Sequence, residues 1–346
     1  MILQQLPPLP VQQRTAKVLQ TWLLLLAFIF CSNFLISCTT TPAQQSTKAT
    51  PILPTTIKNV LPSPTTIKKA TTSTITAPTV TPIPTHQIPQ KYIQHIVLAS
   101  GNRPDDLAFD REGRLLFSNP HNGTVNRLNA DGSVTVLLSG INAPEGLVVL
   151  SDGTLVIAEQ GPNRILTLAP GALTPRVLRQ LPGVASTANC KDGVDGIAFD
   201  ATTNTLIIPD SPIGAVYRLS LDGKILTLLA TGIVRPVGAA VDTQGNIYVA
   251  DECGNALWKI TPDGQKTRMG GFGMPDDVSI DGNGTLLVTD LDPTIHALIR
   301  FNPTTGIHTV LASQGYIEPQ GLILDQHGDI FVSDDYANII VEYIPA

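Results

Sequence analysis

From residue 91 onward the apolar positions come in short runs of three to six, set in alternation with polar ones and separated by Asp, Gly, Pro and Asn. No stretch repeats apolar residues every three or four positions, so the helical period is missing. The runs recur inside one phrase, P-x-G/D-Φ-x-Φ-D-x-x-G-x-Φ-Φ-Φ-S/A/T-D/E/N with Φ apolar, whose copies begin at Pro104, Pro144, Val194, Pro236, Pro275 and Pro319. Intervals of 40, 50, 42, 39 and 44 residues suit a four-stranded propeller blade. The expected fold is all-β: a six-bladed β-propeller with four antiparallel strands per blade.

Within each copy the apolar run after P-x-G/D reads as an inner strand. D-x-x-G is a tight turn, because Asp bonds the backbone two residues on and Gly supplies positive φ. A second strand such as IYVA before Asp251 follows, then a third such as NRILTLA from Asn163, then a fourth such as VTVLLS from Val134. The last copy stops at its third strand, Ile339 to Ile344. Tyr92 to Ala99 has the pattern of a fourth strand and is expected to complete blade six, which removes the open edge.

Upstream the pattern changes. Arg14 and Lys17 precede an apolar run from Trp22 to Ile36, short for a spanning helix but suited to a signal segment. Leu35-Ile36-Ser37-Cys38 looks like a bacterial lipobox, so 1–37 is expected to be a lipoprotein signal peptide with Cys38 the lipid attachment. Residues 38–90 are expected to be a disordered spacer, since 39–90 holds 16 Thr and 9 Pro with four Lys and no acid and too few apolar contacts to offset ordering entropy. The propeller, 91–346, is then exported and held on the extracytoplasmic side by its lipid anchor alone, as a monomer.

Charge sharpens this picture. All 28 acids follow residue 100, while six of the 22 bases precede residue 91, leaving the propeller at −12. A domain this acidic, with no basic stripe, excludes nucleic acid as a partner and favours cations. Cys31 lies in the apolar run, leaving Cys190 and Cys253 as either a disulfide between neighbouring blades or two free thiols.

The second residue of the phrase is Asp105, Glu145, Asp195, Val237, Asp276 and Gln320. These positions should surround one mouth of the central channel. At about 6 Å and an effective dielectric of about 20, each pair of like charges costs about 3 kcal/mol. Either a divalent cation neutralises the four carboxylates or their pKa values rise. Oxygen donors without clustered His or Cys select Ca²⁺ before Mg²⁺, with Asp105, Glu145, Asp195 and Asp276 as ligands. A second ring, Asn119, Glu159, Asp210, Asp251, Asp290 and Asp334, is expected chiefly to fasten the following loops. Turn aspartates such as Asp110 and Asp242 are structural, and Asp106 and Asp277 should point away from the channel by strand alternation. His121 and His296 are candidate acid or base groups near the mouth. The long loop 183–193, with Lys191 and Asp192, is a candidate lid.

The phrase, with N-R-I at Asn163 and N-A-L at Asn255 opening third strands, resembles the NHL-repeat group and the regucalcin/gluconolactonase group of six-bladed propellers over about residues 91–346. That resemblance implies a divalent ion at the mouth that polarises a lactone carbonyl while a carboxylate assists water. Asp105, Glu145, Asp195 and Asp276 match the ligand places, whereas Val237 interrupts the ring and no Asn occupies it. The expectation is a metal-dependent lactone or ester hydrolase with Asp195 or Asp276 as proton acceptor. Two alternatives are a non-catalytic module that docks a surface protein, and a lyase resembling the streptogramin-inactivating propellers, with His121 near Glu145 or Glu159.

Overall fold

A computed structural model describes residues 91–99 and 101–346, all within the unit Pro82–Ala346. The expected signal segment, Cys38 and the Thr/Pro-rich linker lie outside the described residues. Six four-stranded antiparallel sheets form the six blades. Blade one runs Leu107–Phe109, Leu115–Asn119, Thr124–Leu128 and Val134–Ser139 from inside to outside. Blade six takes its inner three strands from Pro319–Leu324, Ile330–Asp334 and Ile339–Pro345, and its outer strand from Tyr92–Ala99. Tyr92 pairs with Pro345 and Ala99 with Ile339, so the N-terminal strand closes the ring as expected. No helix among the described residues is long and apolar enough to cross a membrane.

Second strands are the most buried, because each is covered on both faces by neighbouring blades. Leu115–Asn119, Leu155–Glu159, Ile247–Asp251, Leu286–Asp290 and Ile330–Asp334 are buried at every position. Between blades two and three, for example, Val156, Ile165, Leu206 and Leu219 pack in one apolar cluster. Burying side chains of this size contributes about 1.5–3 kcal/mol each, so the blade interfaces carry the fold.

Inner strands begin with a kink that decides where the site residues go. In blades two, four, five and six the pairing register shifts between the first and fourth residues of the phrase, as at Pro275/Val278. Such a bulge gives one strand an extra residue and breaks strict alternation. Asp106 of blade one, where Asp105 and Asp106 both face Ser118, and Asp277 of blade five therefore do not point away from the channel: they line one small cavity together with Asp105, Asp195 and Asp276. The reach is also inter-blade. Asp106 accepts the Leu147 amide at 2.6 Å and Asp277 the Leu322 amide at 2.9 Å, each from the next blade. At the equivalent places stand Gly146, Gly196, Gly238 and Gly321, where backbones nearly touch. A Cβ on Gly196 would lie 2.8 Å from the Gly238 Cα, and one on Gly146 would lie 2.6 Å from the Asp195 carbonyl oxygen.

Candidate active site at the channel mouth

A polar cavity of about 500 Å³ opens where the inner strands start. Three columns of the repeat line it. Ring positions contribute Asp105, Glu145, Asp195, Asp276 and Gln320; the residue before the phrase contributes Ala143, Arg235 and Glu318; the residue after each second strand contributes Pro120, Gln160, Glu252, Leu291 and Asp335. His121, Asp192 and Tyr336 complete the wall. Val237 is fully buried in the apolar core between blades four and five instead.

The four ring acids are brought together, and all hold protons more tightly than free carboxyls. Asp105 and Glu145 are hydrogen-bonded through their side chains, and burial together with the neighbouring ring carboxylates pushes both well above the usual range. Desolvation, then the charges of Asp195 and Asp105, do the same to Asp276. Burial also raises Asp195, but the Arg235 guanidinium opposes the shift. One tier deeper, burial lifts Asp106 to about 7 against the pull of its two backbone hydrogen bonds. These are the consequences expected of carboxylates crowded in a low-dielectric space.

Arg235 is the cationic feature that the pattern of acids did not suggest. It is 12% exposed and its guanidinium lies 3.0 Å from Asp195 and 3.7 Å from Asp192, with Glu252 in direct contact. The loop bearing Asp192 is fastened to the loop bearing Glu252, because Cys190 and Cys253 are disulfide-bonded with Cα atoms 6.4 Å apart. A short bridge between Ser186 and Lys191 folds the same loop on itself.

Across the cavity, His121 Nε2 lies 2.8 Å from the Asp335 carboxylate. Asp335 is buried and also accepts from Arg103 at 3.3 Å and Gln320 at 3.4 Å. Tyr336 meets the His121 ring edge to face and carries Arg103 over its own ring. His296 does not reach the cavity: it sits with positive φ just before the third strand of blade five, its amide bonded to the Asp292 carbonyl and its Nε2 buried without a partner.

Second-ring residues are fasteners, and they hold the preceding loop as well as the following one. Asp251 accepts amides from Val234, Arg235 and Gly254 and the Trp258 indole. Asp290 accepts from Gly273 and Met274, and Asp334 from Ile317, Glu318 and Ala337. With their lone pairs so engaged, they are poor candidates for an ion shell.

The donor set does not suit the divalent ion that the resemblance implies. Among the described residues no three His, Cys, Asp or Glu side chains meet in a geometry that would hold a metal. Asp105 is engaged with Glu145, and Asp195 with Arg235. These side chains satisfy one another and do not form an ion shell.

Fold and site together define a six-bladed propeller with an acidic, proton-holding mouth. The chain resembles the SMP-30/gluconolactonase/LRE-like region family over residues 83–237, and residues 234–260 match an NHL repeat. No curated protein sequence matches it. Among solved structures, a gluconolactonase from Xanthomonas campestris superposes with a TM-score of 0.61 at 18% identity, covering 73% of this chain and 89% of that one. A streptogramin B lyase gives 0.57 at 14%, covering 74% and 98%. A chain of a nidogen/laminin complex gives 0.55 at 20%, covering 64% and 85%. Identities this low show a shared fold, which a gluconolactonase, a streptogramin lyase and a chain of a nidogen/laminin complex have in common.

Proposed function

We propose that this protein hydrolyses a lactone or a related small ester at the channel mouth. The observation that carries the reading is one cavity lined both by a histidine oriented on Asp335 and by a hydrogen-bonded carboxyl pair, Asp105 and Glu145. With Nε2–H donated to Asp335, His121 presents Nδ1 as a base to a water in the cavity. That water attacks the carbonyl carbon as His121 takes its proton. The C–O bond to the leaving oxygen then breaks, and the Asp105/Glu145 pair supplies the proton to it. Asp276, raised by burial, is a second donor rather than the base, while Asp195 is held by Arg235.

The test is a panel of aliphatic lactones and aryl esters offered to the full chain, with His121→Ala and Glu145→Gln beside it. Removing a general base or acid should cost about 10²- to 10⁴-fold in kcat. If the parent turns over no member of the panel, or both variants keep full activity, the hydrolase reading is wrong. The docking-module reading would then be pursued by capture of surface partners.

A further inference from the structure

The mouth contains a feature that the ring of acids would otherwise require from solution, a cation drawn into contact with oxygens from several segments. Arg235 is the only arginine or lysine among the described residues lining the cavity. Its guanidinium gathers Asp192 from the loop leading into blade three, Asp195 from the ring position of that blade, and Glu252 from the loop after the second strand of blade four. Blade four is also the blade whose ring position is an apolar residue, Val237, buried in the core. The blade whose ring position is apolar supplies the positive charge two residues earlier. The backbone that bears it is fastened on both sides, since the Arg235 amide donates to Asp251 at 2.9 Å and its carbonyl accepts from the Glu252 amide at 3.1 Å. A guanidinium stays charged at every accessible pH and offers a planar fork matched to carboxylates.

We propose that Arg235 is the resident cation of this mouth, filling the place that a divalent ion would otherwise take, so that the site is complete without a metal. The inference rests on the arrangement of side chains and not on the hydrolase reading. The purified full chain and its Arg235→Gln and Arg235→Lys variants are titrated calorimetrically with CaCl₂, MgCl₂ and MnCl₂ alone, with circular dichroism to establish that each is folded. The parent should give no saturable heat below about 1 mM, the weak end of the range for extracellular calcium modules. Arg235→Gln should gain a single saturable site, at least about tenfold tighter than any residual binding by the parent. Arg235→Lys, which keeps the charge, should behave as the parent. One equivalent of ion bound by the parent and lost in Asp276→Asn would overturn the proposal, and so would a folded Arg235→Gln that gains no site. Should Arg235→Gln fail to fold, the parent and Asp276→Asn titrations still decide. No substrate enters the measurement, so inactivity towards esters and failure of this inference remain distinct results.

Discussion

Asp251 shows how a single carboxylate holds this architecture. Buried at the end of a second strand, it satisfies three amides from the two flanking loops and the indole N–H of Trp258 in the third strand. Asp251→Ala would orphan those donors, and each buried unpaired group costs about 1–3 kcal/mol. A fall in the urea midpoint equivalent to roughly 3 kcal/mol or more is expected. Asp335 is different, because its main partners are His121, Arg103 and Gln320 at the cavity wall. Asp335→Asn should leave the urea midpoint nearly unchanged. It should lower kcat by about 10²-fold and shift the pH profile, since the amide no longer fixes the tautomer of His121. A pure structural role would move neither the profile nor kcat relative to KM. The ring acids were legible in the sequence because one column of the repeat keeps its chemistry in four copies out of six. The neighbouring columns were not. Pro120, Gln160, Glu252, Leu291 and Asp335 share a place but no property, and Arg235 and Glu318 stand where other copies have Ala143 or Met274. Position in a repeat can be read from sequence; the chemistry of a variable column only becomes a wall once the blades are assembled.

At the scale of the element, strand boundaries followed the alternation closely, but the bulges that open the inner strands of blades two, four, five and six did not announce themselves. Alternation assigned Asp106 and Asp277 to the wrong side, because it assumes one partner per residue and a bulge has one residue too many. Their burial makes stability depend on pH with a definite sign. A carboxyl raised from 3.8 to about 7 in the folded state, as Asp106 is, binds its proton more tightly folded than unfolded. Its contribution is full below the unfolded value and is lost as pH rises through about 7. The slope is about 1.4 kcal/mol per pH unit for each such group. Asp277 and Asp276 are raised in the same direction by burial. The thermal midpoint should therefore be higher at pH 5 than at pH 8, and Asp106→Asn should make that difference smaller. The disulfide acts on another element, the loop leading into blade three. It spans 63 residues, for which chain-entropy reasoning gives about 4 kcal/mol as an upper bound. Cys190→Ser with Cys253→Ser should lower the denaturation midpoint accordingly. Hydrogen exchange should quicken in residues 183–193 first.

For the whole molecule, closure is the decisive event. The outer strand of blade six comes from the opposite end of the chain to its other three, so the ring is fastened by sequence ends more than 200 residues apart. Tyr92 packs edge to face on Tyr343, and Leu98 is buried against blade one's Phe117 and Leu107. Deleting 91–99 would uncover the edge of Ile339–Pro345 and part of two interface clusters. Such a chain should sediment as aggregates and melt at a lower temperature than the parent.

The direction in which that closing strand runs has one more consequence. Tyr92 lies beside Pro345, at the end of the blade where the D-x-x-G turns are, while Ala99 lies beside Ile339 at the end where Asp334 and the mouth are. The polypeptide thus joins the ring from beneath, on the side away from the cavity. Anything joined to the propeller ahead of Tyr92 therefore starts on the face opposite the cavity and leaves the opening clear.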